Sequence, residues 1–229
     1  MTVHRRLLIV AIFCCVPLLT APLAQTRTAR EGLGMLKVGN ERFVRNASAP
    51  VSLSAHTREE LTKAQHPFAM VLSCADSRVP PEHIFNVGLG DLFVIRTAGE
   101  VVDRSILASL EYGAEHLHIP LLVVMGHESC GAVQAATAAK GESLGPNLDY
   151  LVKAIRAGTN RTGAEQTELR AAILANVEQS INGTLAGSVM LRKMVESDKL
   201  QVVGAYYELS SGRAIFSEAV TPAPAKAGR

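Results

Sequence analysis

Three stretches of the chain are almost continuously apolar, without the alternation of a half-exposed strand. They cover residues 68–73, 91–96 and 121–125, and each has about the length of a strand. Runs of this kind are typical of strands that are buried on both faces, as in a parallel sheet. Between the second and third runs, residues 103–118 carry apolar side chains at helical spacing and begin with Asp103, a candidate N-cap. Strand, helix and strand in this order predict a right-handed βαβ crossover.

The rest of the pattern predicts helices on either side of such a sheet and two more strands. The predicted helices cover residues 29–46, 57–65, 130–140, 147–157, 163–182 and 187–196, and the predicted strands cover 201–207 and 213–216. The last two helices are predicted to be separated at Asn182-Gly183. The fold class predicted is therefore α/β, with a mostly parallel central sheet of four strands plus an edge strand, flanked by helices.

The first 24 residues have the three parts of a secretory signal peptide. Positive residues at 4–6 precede an apolar run at 7–19, and small residues at 21–24 offer a cleavage site. This leader predicts export to the periplasm or secretion from the cell. Two alternatives stay open: an uncleaved membrane anchor, and a twin-arginine signal built on Arg5-Arg6.

Cleavage after Ala24 leaves 205 of the 229 residues, enough for one domain with a sizeable core. We assign residues 25–220 to that domain and expect the Pro- and Ala-rich tail at 221–229 to be disordered. The leader takes two arginines with it, so the mature chain has 21 basic and 21 acidic residues. Because there is no basic run and no Trp, we expect no nucleic-acid partner. With no second apolar stretch, we expect no membrane attachment after cleavage.

Cleavage also leaves only two cysteines, Cys74 and Cys130. In an exported protein such a pair is ordinarily a disulfide. Their surroundings favour a metal site instead, because a disulfide has no need of the nearby Asp76, Arg78 and His127. Zinc is bound by Cys, His, Asp and Glu side chains, usually four at a time. Cys74, Asp76, His127 and Cys130 would make up that number.

The predicted strands explain how these residues could meet. Cys74 and Asp76 follow the first strand, and His127 and Cys130 follow the third. In an open parallel sheet, sites form in the crevice outside the carboxyl ends of the strands. His127 and Cys130 are three residues apart, which lets both reach one ion from a strand-to-helix turn.

The two motifs, Cys-x-Asp-x-Arg at 74–78 and Gly-His-x-x-Cys-Gly at 126–131, together resemble those of the β-class carbonic anhydrases. The likeness extends through most of the mature chain, at 39–43, 76–82, 90–96 and 98–99. It implies a zinc lyase that reversibly hydrates CO2 to bicarbonate and a proton, with zinc-hydroxide as the nucleophile. Because two thiolates reduce the charge of the zinc, the implied activity favours alkaline pH.

The resemblance also implies a role for each site residue. Cys74, His127 and Cys130 would be the permanent Zn2+ ligands. Asp76 would accept a hydrogen bond from the hydroxide, and Arg78 would clamp Asp76 in a charge-assisted pair. If the clamp opens, Asp76 can become the fourth ligand and displace the water, and both arrangements occur in the family.

Three further residues resemble the substrate side of the plant-type branch of the family. Gln65 would donate a hydrogen bond to bicarbonate, while Phe93 and Tyr112 would form an apolar slot for CO2. The alternative is structural: a helix-end amide and two core aromatics. The resemblance further implies a homodimer or larger homo-oligomer, in which the N-terminal helices embrace the partner. Phe93 and Tyr112 would then serve the neighbour's zinc.

One stretch departs from the family pattern. Many relatives have Arg-Asn-Ala-Gly-Asn where this chain has Arg-Thr-Ala-Gly-Glu at 96–100. We expect Glu100 to place a charge close to the cleft and to affect substrate tuning. Relatives with the same ligands act on CS2 or COS, so that substrate class stays open, as does a non-catalytic exported zinc-binding protein.

Overall fold

The computed structural model describes residues 27–138, 143–159 and 166–220. The predicted signal peptide at 1–24 and the predicted disordered tail at 221–229 lie outside these ranges, so both stay predictions. Among the described residues, no helix combines the length and the apolar character that crossing a bilayer requires.

The described strands form one sheet of five. They are β1 (Ala69–Cys74), β2 (Leu92–Thr97), β3 (Leu121–His127), β4 (Gln201–Tyr207) and β5 (Ala214–Ala219). Their spatial order is β2-β1-β3-β4-β5. The first four strands are parallel, and β5 pairs with β4 in the antiparallel sense. This confirms the predicted α/β fold with four parallel strands and an edge strand.

Helices flank the sheet, and two of them lie at the N-terminal end of the described chain. The α-helices are α1 (Ala29–Val44), α2 (Ala55–Leu61), α3 (Pro81–Ile84), α4 (Arg104–Glu111), α5 (Gly131–Ala138), α6 (Pro146–Thr159), α7 (Gln166–Gly187) and α8 (Val189–Glu196). A 3₁₀ turn at Ala98–Glu100 follows β2, and a π-helical turn at Tyr112–His116 follows α4. The single helix predicted over 103–118 is therefore α4 plus the π-helical turn.

The predicted helix break at Asn182-Gly183 is wrong. α7 continues through both residues to Gly187. The break comes at Ser188, where the side-chain Oγ accepts a hydrogen bond from the Leu191 N–H and caps α8. Side chains on both sides of Asn182-Gly183 are buried in the core. This packing outweighs the low helix propensity of glycine, which costs about 1 kcal/mol relative to alanine.

Apolar layers cover both faces of the sheet. Met70 and Leu72 of β1 pack in the cluster formed with α4, α7 and α8. Ala69 and Val71 pack in the opposite cluster, which includes residues of α1 and α3. Every residue of β1 and β3 is buried, which explains why the sequences of these strands are continuously apolar. The core therefore fixes the carboxyl ends of β1 and β3, where polar residues begin.

Candidate metal centre and active site

The carboxyl ends of β1 and β3 bring three predicted ligands together. Cys74 is the last residue of β1, His127 is the last residue of β3, and Cys130 directly precedes α5. Their ligand atoms all lie within 4.8 Å of one another, and all three residues are buried. The two sulfur atoms are free thiols 4.0 Å apart, roughly twice the length of a disulfide bond. The convergence follows from the parallel pairing of β1 with β3.

His127 is oriented for binding through one nitrogen. Its Nδ1 lies 2.9 Å from the backbone oxygen of Glu128, which can only accept a hydrogen bond. Nδ1 therefore carries the hydrogen, and Nε2 presents a lone pair. Nε2 is buried and has no hydrogen-bond partner among the described residues. A buried free imidazole nitrogen beside two thiols fits Zn²⁺, and three protein ligands leave the fourth position open, as in catalytic zinc sites.

The two thiols are electrostatically unequal. A hydrogen bond from Cys130 lowers the pKa of the Cys74 thiol to about 4, and the Gly99 amide acts in the same direction. The same bond raises the pKa of Cys130, because that thiol is the donor. The Gly99 N–H donates to Cys74 Sγ at 3.3 Å. A metal that binds both sulfurs as thiolates must displace the proton that the pair shares.

Asp76 and Arg78 form a bidentate ion pair at the edge of this cluster. Arg78 Nε donates to Asp76 Oδ1 at 2.9 Å, and Nη2 donates to Oδ2 at 2.7 Å. The backbone N–H of Arg78 also donates to Oδ1, at 2.9 Å. These bonds hold the pKa of Asp76 far below its usual range. Asp76 Oδ2 lies 3.9 Å from His127 Nε2, so the carboxylate is beside the ligand cluster while Arg78 holds it. Its role as a metal ligand stays a prediction.

Arg96 is a site residue that sequence reasoning missed. Its Nε donates to the backbone oxygen of Cys74 at 3.0 Å, and its Nη2 donates to that of Asp76 at 2.6 Å. Arg96 thereby ties the end of β2 to the end of β1 and to the loop after it, which carry Cys74 and Asp76. A charged residue at the end of an apolar strand was the available signal, but only the strand register shows what it reaches.

Glu100 does not place a charge at the cleft, contrary to the expectation from sequence. Its side chain is fully buried, and Oε1 accepts a hydrogen bond from Asn176 Nδ2 at 2.7 Å. Oε2 has no partner among the described residues. Burial raises the pKa of Glu100 to about 8, because little in these surroundings compensates the loss of hydration of a carboxylate. The side chain is inside because α7 packs over the turn that carries it.

This burial predicts a pH-dependent cost of Glu100 to stability. The unfolded chain ionises the carboxyl near its ordinary pKa of 4.5, whereas the native state keeps the proton to about pH 8. Between these values the native state binds more protons, so its stability falls as the pH rises, by up to about 1.4 kcal/mol per pH unit. We expect Glu100→Gln to gain unfolding free energy relative to the wild type as the pH rises through this window.

Urea unfolding at about pH 5, 7 and 9 measures this difference. Glu59→Gln is the matched control, since Glu59 is exposed on α2. A difference between Glu100→Gln and the wild type that stays constant with pH would contradict a buried, neutral Glu100.

The predicted substrate-side residues lie away from this chain's own ligand cluster. Phe93 pairs with Met70 at the start of β1, four residues or about 13 Å of strand from the level of Cys74. Tyr112 stands 6.2 Å from Phe93 between ring centroids and is 46% exposed. Gln65 is exposed in the segment that leads into the amino end of β1. The structure brings Phe93 and Tyr112 together, and their role in CO2 binding stays a prediction.

Comparison with known proteins gives one consistent result. The sequence profile of the family described as "Carbonic anhydrase" matches residues 69–214. The "Carbonic anhydrase 2" of Mycobacterium tuberculosis is 38% identical over 192 residues, which cover 80% of this chain and 90% of that protein. The "Carbonic anhydrase" of Mycolicibacterium smegmatis is 37% identical over 188 residues, covering 78% and 88%.

Solved structures agree on the fold. A β-carbonic anhydrase of Sordaria macrospora, described as tetrameric, has a TM-score of 0.64 at 26% identity, covering 72% of this chain and 88% of its own. The Coccomyxa β-carbonic anhydrase, solved with acetazolamide, has a TM-score of 0.68 at 24% identity, covering 82% and 88%. Fold and ligand cluster thus define a carbonic anhydrase of the β class. The chain belongs to the carbonic anhydrase family.

Proposed function

We propose that this protein reversibly hydrates CO2 to bicarbonate and a proton, using Zn²⁺ held by Cys74, His127 and Cys130. The buried cluster of two thiols and a free imidazole nitrogen carries the proposal. The names of the Mycobacterium and Mycolicibacterium relatives support it. Bound there, Zn²⁺ would make a coordinated water acidic enough to supply the nucleophile near neutral or alkaline pH.

Asp76 orients the attacking oxygen. Its Oδ1 accepts two hydrogen bonds from Arg78, whereas Oδ2 accepts one and lies nearer the ligand cluster. Oδ2 therefore keeps a lone pair that can accept a hydrogen bond from the nucleophile and aim it at CO2. Because Arg78 keeps the pKa of Asp76 so low, the carboxylate stays ionised throughout. Asp76 is thus an acceptor that fixes geometry, and the proton of the reaction leaves by another route.

The substrate pocket is completed by a second copy of the chain. Phe93 lies about 13 Å of strand from the level of Cys74, too far to serve its own cluster. Tyr112 stands beside Phe93, and both Tyr112 and Gln65 are exposed in the single chain. A groove of about 780 Å³ runs between α1 and the segments 49–52 and 86–91. In the proposed assembly, the partner's N-terminal helices occupy this groove. In the resulting homodimer or larger assembly, each chain contributes Gln65, Phe93 and Tyr112 to its neighbour's metal site. The tetrameric Sordaria macrospora enzyme supports assembly.

The protein acts outside the cytoplasm, in the periplasm or beyond the cell. The support is the sequence of residues 1–24, with its positive start, apolar run and small residues before the cleavage point. Cleavage would release the mature chain without a membrane anchor.

Stopped-flow measurement of CO2 hydration tests the proposed function on the mature, zinc-loaded protein. We expect activity that rises from neutral to alkaline pH, because two thiolates make the bound water less acidic than a three-histidine site does. A strong chelator should abolish it, and added Zn²⁺ should restore it. A folded protein with one Zn²⁺ per chain and no hydration would contradict the proposal. Parallel assays with CS2 and COS would then separate another substrate from a zinc-binding protein without activity.

A further inference from the structure

The Cys74 sulfur accepts a hydrogen bond from the peptide backbone. The donor is the Gly99 N–H at 3.3 Å, in the 3₁₀ turn after β2. A hydrogen bond to a thiolate draws charge away from the sulfur. The sulfur then donates less charge to any metal cation that it binds. The cation becomes a stronger Lewis acid, and water bound to it becomes more acidic. The position of one amide can therefore set the electronic character of the whole site.

Side chains of α7 hold this turn from behind. Asn176 Nδ2 donates to the backbone oxygen of Gly99 and to Glu100 Oε1, both at 2.7 Å. One turn further along α7, Ser180 Oγ donates to the backbone oxygen of Glu100 at 2.9 Å. Asn176 and Ser180 are almost completely buried. We call Asn176 and Ser180, together with the Glu100 carboxyl to which Asn176 donates, the α7 clasp.

The turn needs such support because its backbone is unfavourable. Gly99 has a φ of +66°, and Glu100 has a φ of +42°, which is in the left-handed region. A non-glycine residue in that region is disfavoured and persists only when its surroundings enforce it. A Cβ on Gly99 would come within 2.8 Å of Ile155 Cδ1, so α6 also packs closely on the turn. Without the hydrogen bonds of the clasp, we expect the turn to relax and the Gly99 amide to move away from Cys74.

We propose that the α7 clasp is a positioning device that keeps the Gly99 amide on Cys74 Sγ and thereby tunes the acidity of the bound metal. The proposal rests on the proposed function in taking Zn²⁺ as the resident ion. Asn176 contributes most, because it bridges the backbone of Gly99 and the side chain of Glu100. None of the clasp residues touches substrate in this arrangement. They act through Cys74.

The test compares Asn176→Leu, which keeps the size of the side chain and removes its donors, with the wild type. Thr184→Val is the matched control: Thr184 is buried on the same helix, and its Oγ1 donates only to the backbone oxygen of Ser180. Ser180→Ala is a milder variant that carries the test if Asn176→Leu does not fold. Each protein is loaded with Co²⁺ for spectroscopy and with Zn²⁺ for affinity and rate.

We expect the thiolate-to-cobalt charge-transfer band of Asn176→Leu to move to longer wavelength, because a sulfur without its hydrogen bond is more easily oxidised. Zn²⁺ affinity in chelator competition should fall about 10- to 100-fold, because the loss of the fixed orientation of Cys74 outweighs the stronger donation by its sulfur. The pH profile of kcat should move to higher pH. Ser180→Ala should shift in the same direction by less, and Thr184→Val should not shift.

An unchanged band and affinity in folded Asn176→Leu, or equal shifts in Thr184→Val, would overturn the proposal. If only Ser180→Ala folds, an unshifted band would overturn it as well. The spectrum and the affinity need no turnover, so they remain decisive even if the wild type fails to hydrate CO2. In that case the proposed function fails while the positioning role is judged independently.

Discussion

Asp76→Asn should lower kcat for CO2 hydration by about 10²- to 10³-fold and leave the bound Zn²⁺ in place. Asparagine has nearly the same shape, but its amide carries no charge and offers one acceptor oxygen in place of two. The bidentate pair with Arg78 is lost, and so is the acceptor that aims the nucleophile. Cys74, His127 and Cys130 are unaltered, so metal binding should persist. Stopped-flow rates and zinc content, measured on the same sample, check both halves of the prediction.

The zinc content also decides between the two roles predicted for Asp76. If Asp76 orients the nucleophile, the metal stays while the rate falls. If Asp76 is the resting fourth ligand, Zn²⁺ affinity falls with the rate. Glu60→Gln is the matched control, because it removes an exposed carboxylate from its 2.8 Å ion pair with Lys63. Full activity in Asp76→Asn would remove Asp76 from the mechanism.

The ligand cluster could be predicted because its residues stand at the ends of recognisable strands. Continuous apolar runs mark β1 and β3, and parallel pairing places their carboxyl ends side by side. The sequence positions of Cys74 and His127 relative to these runs then imply that the two side chains meet. No equivalent rule fixes the direction of the Asp76 carboxylate, which depends on the loop geometry that Arg96 holds.

The α7 clasp could not be predicted in the same way. Asn176 and Ser180 lie more than seventy residues from the turn they hold, on a helix whose contacts depend on tertiary packing. A signal was nonetheless present: Asn176, Ser180 and Thr184 recur every four residues and so lie on one face of α7. A polar row among buried apolar positions indicates that the face meets backbone or polar groups.

For Glu100, a correct observation from the sequence led to a wrong expectation. The glutamate does lie in the segment that departs from the family pattern, close in sequence to the site. Its exposure, however, is decided by the left-handed turn and by the α7 packing above it. A glutamate in the sequence does not establish a charge in the folded protein, because burial can keep its carboxyl protonated.

Two inactive variants should restore activity to each other when they assemble together. Cys74→Ser removes a thiolate ligand. We expect its Zn²⁺ affinity to fall by more than the roughly 10- to 100-fold loss that follows when a ligand loses only its hydrogen-bond partner. The double variant Phe93→Ala/Tyr112→Ala keeps its metal ligands but loses the aromatic pair that stands 6.2 Å apart. Each homo-oligomer should be inactive or nearly so, for different reasons.

In a mixed dimer, the site on the double-variant chain has intact ligands and receives the intact aromatic pair of the Cys74→Ser partner. Random pairing makes half of the dimers mixed, each with one complete site, so co-refolded equal amounts should recover about a quarter of wild-type hydration activity. If instead Phe93 and Tyr112 served their own chain's metal, no site in the mixture would be complete. Recovery therefore distinguishes a shared pocket from a self-contained one.

Sedimentation of the wild type and of both variants provides the control, since complementation requires that each forms a dimer or larger assembly. Mixing the finished oligomers without unfolding them should give slower recovery, limited by subunit exchange. Mixed oligomers that form normally and stay inactive would contradict the shared pocket. A wild type that sediments only as a single chain would contradict the shared pocket before any mixing experiment. Tyr112 would then face solvent, and Phe93 would remain about 13 Å of strand from the level of Cys74.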